Sequence, residues 1–109
     1  MDSVIRVDLI KGEETPWPRI ESDDFLITTG SAKPLEDAFR IAHTEMVRWV
    51  AQLLGISEMD SYQLVSQIAL SPVANVCDTV YTMVCKVPKS MLGGVSAYSG
   101  KHAELARAR

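Results

Sequence analysis

The amino-acid sequence predicts an α+β fold: a small mixed or antiparallel sheet with two helices packed on one face. Three observations predict it. Apolar residues recur at helical spacing over Leu35–Leu54, short runs rich in β-branched residues lie on both sides of that stretch, and 109 residues is about the size of one domain. A chain of this length can bury well over half of its unfolded surface, so one continuous core is feasible.

The first element is Val4 to Ile10, where Ile5, Val7 and Leu9 alternate with Arg6 and Asp8. Period-two alternation predicts a half-buried strand. Lys11-Gly12 breaks it, and Pro16-Trp17-Pro18 excludes regular helix beyond. Phe25 to Thr29 reads as a second short strand ended by Gly30. A helix follows over Leu35–Leu54, with apolar residues at 35, 38, 39, 42, 46, 49, 50 and 53. Pro34 suits its start, Glu36 and Asp37 suit the positive end of its dipole, and Gly55 stops it. Its polar face carries Arg40, His43, Thr44, Arg48 and Gln52.

Ser57-Glu58-Met59-Asp60 forms a variant capping box that opens a second helix, buried through Tyr62, Val65, Ile68 and Ala69 and ended by Ser71-Pro72. Val73 to Val87 is rich in Val, Thr, Tyr and Cys, which favours strand over helix. Asp78-Thr79 marks a bend, and the strand Thr79 to Val87 is apolar on both faces, as in an interior strand. The predicted domain spans residues 1–92. Gly93-Gly94, Ser96, Ser99 and Gly100 then begin a flexible tail, residues 93–109.

Composition excludes several function classes. The formal net charge is -3, and Lys and Arg are scattered without interleaved aromatics, so neither nucleic acid nor a membrane is an expected partner. No run approaches the roughly 18 apolar residues of a membrane span. Cys77 and Cys85 would lie about 26 Å apart in an extended strand, far beyond disulfide reach. Both read as reduced, buried residues of a cytoplasmic protein.

Chemistry-bearing motifs are sparse. Neither His43 nor His102 has a second ligand one helical turn away, and paired Cys-x-x-Cys zinc motifs are absent. There is no Gly-x-Ser-x-Gly elbow and no Ser-x-x-Lys helix start. His43 reads as a solvated helix residue. Asp78 interrupts an apolar run and is either a buried site carboxylate or a turn residue bonded to its own backbone. Trp17, between two prolines, is a candidate contact surface or lid; Trp49 lies on the helix stripe and belongs to the core.

Several stretches, taken in order, resemble the acetamidase/formamidase family. They are Asp37-Ala38-Phe39-Arg40-Ile41-Ala42 through Met46-Val47-Arg48-Trp49-Val50, then Leu54-Gly55-Ile56-Ser57 and Ser61-Tyr62-Gln63-Leu64-Val65-Ser66. Val73 to Asp78 and Val87-Pro88-Lys89-Ser90-Met91-Leu92 complete the set. The resemblance implies the C-terminal portion of an enzyme that hydrolyses short linear amides such as formamide and acetamide, with a bound metal, often zinc. The family's histidine- and acid-rich segments lie upstream of the matched part, so no catalytic residue and no metal ligand is expected in this chain. Ser66 and Asp78 match motif positions and are the expected supporting site residues. Ile68 to Pro72 replace polar residues of the family pattern. The implied partner is a larger N-terminal amidase chain or further copies of this one, and the alternative is a non-catalytic homo-oligomeric or interaction domain derived from the family.

Overall fold

A computed structural model of the chain describes residues 1–77 and 79–107. Its centre is an antiparallel pair, β2 (Phe25–Ala32) and β4 (Tyr81–Pro88), in register from Phe25↔Pro88 to Ala32↔Tyr81. Two three-residue strands complete the four-stranded sheet: β1 (Arg19–Glu21) beside β2, and β3 (Val73–Asn75) beside β4. All the pairings are antiparallel. Between β2 and β3 the chain forms α1 (Leu35–Leu54) and α2 (Glu58–Ile68). This is the α+β architecture that the sequence predicts.

The long helix forms where apolar periodicity places it. Glu36 and Asp37 occupy its first turn, and Gly55 ends it at φ 65°, a left-handed conformation that costs glycine little. Its buried stripe is Ala38, Ala42, Met46, Trp49 and Val50, set on Leu26, Cys85 and Val87 of the sheet. Contact is close because β2 runs through Gly30 instead of ending there. A Cβ on Gly30 would sit 2.4 Å from the Ala38 carbonyl oxygen and 2.7 Å from the Ala42 nitrogen. The hydroxyl of Thr28, also buried, donates to the Ala42 carbonyl at 2.7 Å, so a polar strand residue is satisfied by the helix that covers it.

The second helix begins as its sequence predicts: the Ser57 hydroxyl accepts from the Asp60 backbone N–H at 3.1 Å. Its inward face is rotated from the expected one. Ser61 and Val65 are buried, with the Ser61 hydroxyl donating to the Val47 carbonyl at 2.6 Å, while Tyr62 is 60% exposed. Ser61 is small enough to let the two helices meet, and Tyr62, about 100° around the helix, then faces out.

Other expectations also need correction. Val4 to Ile10 forms no strand; the edge of β2 is taken by β1. β4 is the interior strand that the sequence predicts, between β2 and β3, but only one of its faces is covered. Thr82, Val84 and Lys86 are half-buried and Val80 is exposed, since α1 and α2 cover only the other face. Cys85 is buried but Cys77 is exposed; both are free thiols. Residues 89–107 contain two 3-10 turns, Lys89–Leu92 and Ala97–Gly100, and a short helix α3 (Lys101–Arg107). Leu92 and Ala97 belong to the buried core, and Tyr98 packs on it. No helix among the described residues is long and apolar enough to cross a membrane.

Candidate functional site

The polar side of α1 gathers most of the chemistry in the described structure. At one flank Trp17 is half-buried and lines an open pocket of about 200 Å³ with Arg40, Thr44, Glu45 and Arg48. Glu45 is only 3% exposed. Its Oε1 accepts from Arg48 Nη1 at 3.2 Å, whereas Oε2 is buried with no hydrogen-bond partner among the described residues. A carboxylate removed from water is costly unless its lone pairs are met, which makes this half-satisfied glutamate unusual among the described residues. The sequence reading passed over it. A signal existed: Glu45 interrupts the stripe between Ala42 and Met46 and stands three residues before Arg48.

Two residues earlier, His43 is half-buried rather than solvated. Its ring stacks on Phe39 with centroids 4.0 Å apart, Nδ1 lies 3.1 Å from the Phe39 carbonyl, and Nε2 lies 3.0 Å from the Ser71 hydroxyl. A carbonyl can only accept, so Nδ1 carries the proton, and Nε2 accepts from Ser71. Burial holds the imidazole pKa below its ordinary value, opposed by the bond to Phe39. His43 and Phe39 line a groove of about 490 Å³ between α1 and α2, together with Val47, Met59 and Tyr62. A neutral imidazole beside a hydroxyl is the elementary unit of base-assisted attack, but a carbonyl stands here where hydrolase triads place a carboxylate.

The sequence-predicted residues Trp17 and Ser66 lie on different elements of the described structure. Trp17 lies against α1. Ser66 is exposed on α2, where its hydroxyl donates to the Tyr62 carbonyl at 2.6 Å, a bond within its own helix. Asp78 lies outside the described residues. His102 pairs with Asp23 at 2.9 Å, remote in sequence from His43. Among the described residues no three His, Cys, Asp or Glu side chains come together in a way that could hold a metal ion.

No family model and no curated protein matches the chain. A solved structure does. The crystal structure of an acetamidase from Yersinia enterocolitica matches with a TM-score of 0.73 and 36% sequence identity, over 76% of this chain and 25% of that one. The chain is acetamidase-like in both sequence and fold. This acetamidase-like chain spans about a quarter of the length of the enzyme it matches, and so carries the likeness of one part of it.

Proposed function

We infer that the chain is the C-terminal segment of an amide hydrolase for short linear amides of the formamide and acetamide type, and that it acts only together with the remainder of such an enzyme. The observation that carries this reading is the likeness to an acetamidase at 36% identity, confined to 25% of that enzyme. Hydrolysis of an unactivated amide needs a strong nucleophile and stabilisation of the developing oxyanion. The described side chains offer one serine–histidine pair and no cluster of metal donors, which favours placing that machinery in the part of the enzyme not represented here. Ser66 and Asp78 keep a supporting role in this reading, and Trp17 a contact role.

Ammonia release tests it. The purified chain, at high concentration with formamide or acetamide and with zinc added, is expected to release no more ammonia than a buffer blank. Sustained turnover by the isolated chain would overturn its dependence on a larger partner. A second reading, a homo-oligomeric or interaction domain without catalysis, is favoured by the apolar residues exposed near the N-terminus. Light scattering separates the two: a stable dimer of the isolated chain supports the second.

A further inference from the structure

The contact between Ser71 and His43 is held from both sides. The residues flanking Ser71 are tied to β4: Leu70 and Lys86 exchange backbone hydrogen bonds of 2.8 Å in each direction, and the Val84 N–H donates to the Pro72 carbonyl at 3.2 Å. His43 is fixed by its stack on Phe39 and by its Nδ1–H, which donates to the Phe39 carbonyl at 3.1 Å. The lone pair of Nε2 is left for the Ser71 hydroxyl, 3.0 Å away. Burial keeps the ring in its neutral, proton-accepting form at neutral pH. The hydroxyls of Ser61 and Ser66 donate instead to helix carbonyls, which cannot take a proton. Ser71 is exposed, so a molecule in solution reaches it. Phe39 lines two apolar hollows next to this pair: the groove shared with His43, and a second of about 370 Å³ formed with Leu35, Val73 and Met83.

We propose that Ser71 and His43 form an acyl-transfer site for small activated esters, the aryl esters of short carboxylic acids, with Ser71 as nucleophile and His43 as general base. The Ser71 Oγ attacks the ester carbonyl carbon while its proton passes to His43 Nε2. The bond from that carbon to the aryl oxygen then breaks, and the phenol departs with the proton that the imidazolium returns. Water, giving its proton to His43 in turn, attacks the acyl-serine, releases the acid and restores the hydroxyl. The need for a good leaving group follows from Pro72. Nucleophile-elbow hydrolases hold the oxyanion with the N–H of the residue after the serine, and proline has none. Without that donor, and with a carbonyl instead of a carboxylate behind the imidazole, only a readily expelled aryloxide lets the adduct collapse forward. Unactivated amides lie outside the reach of this pair, so its activity on esters and the amide-hydrolase reading are tested independently.

The test treats the purified full chain with para-nitrophenyl acetate near neutral pH and follows nitrophenol release, intact mass and the acetylated residue by peptide mapping. One acetyl group per chain is expected on Ser71, forming at least about tenfold faster than in the variant His43→Gln. Ser71→Ala should remove the fast phase of nitrophenol release and keep only the slow acetylation of lysines. Denaturant midpoints show whether each variant is folded, and the map of the parent chain decides even where one is not. An unmodified Ser71, with acetyl groups only on lysines or on an imidazole, overturns the site. Equal rates of Ser71 acetylation in the parent and in folded His43→Gln overturn the role of the base.

Discussion

Strand β2 and the segment Val4–Ile10 both have strand-like sequences and have opposite fates. The N-terminal segment alternates apolar and polar residues, whereas β2 carries Phe25, Leu26 and Ile27 in succession. In β2 one side, Leu26, Thr28 and Gly30, is buried under α1, and every residue of the strand is registered against β4. In the N-terminal segment the apolar side is turned to solvent and the polar side is tied to α3. Alternation therefore specifies that a stretch has two faces. It does not specify that anything in the same chain covers one of them. Burial needs a partner surface and a ladder, and β2 obtained both from residues far away in sequence.

The comparison breaks most visibly at Gly30. Gly30→Val is expected to cost about 3 kcal/mol in urea unfolding, or to prevent folding, because α1 cannot retreat without uncovering the core. A loss below about 1 kcal/mol would mean that the helix-to-sheet contact is looser than its geometry. Ser57→Ala, which removes the cap of α2, should cost about 1 kcal/mol by the same measurement.

A smaller effect concerns acid. Burial lowers the His43 pKa in the folded chain below the ordinary 6.5, so the unfolded chain takes up this proton first. The neutral imidazole's contribution is complete above about pH 6.5 and declines as pH falls through that value toward the lower folded pKa. His43→Gln is expected to flatten this part of the stability–pH curve, read from denaturant midpoints between about pH 7 and pH 5. An unchanged slope would show that the imidazole is as well solvated in the folded chain as in the unfolded one. The smallest effect is expected at Val7→Asp, within about 0.5 kcal/mol of the parent, since no core loses an atom. A cost like that of Gly30→Val would show that the N-terminal segment is packed after all.

Much of the fold was legible. Both ends of α1, Leu35 and Leu54, fall where the sequence places them, because a 20-residue stripe with acidic residues first and glycine last is strongly over-determined, although Phe39 of that stripe is exposed. The Ser57 cap was legible for the same local reason. The site was less so. Glu45 hid inside an apolar stripe, and His43 gained its meaning from Ser71, 28 residues away. Ser66 matched a motif position, yet its hydroxyl is committed to its own helix. Proximity across the fold is not written in spacing.

By itself the sequence determined the long helix with both its ends, the Ser57 start of the second helix, the central strand pair and the kinship with acetamidases, all of which rest on local propensity or on residue identity. Tertiary structure alone decided which face each element turns inward: Ser61 rather than Tyr62, Gly30 as a close-contact point rather than a strand end, Ala97 as a core residue, and Ile5, Val7 and Leu9 facing out. The physical reason is that burial belongs to pairs of surfaces, and a single stretch of sequence describes only one of them.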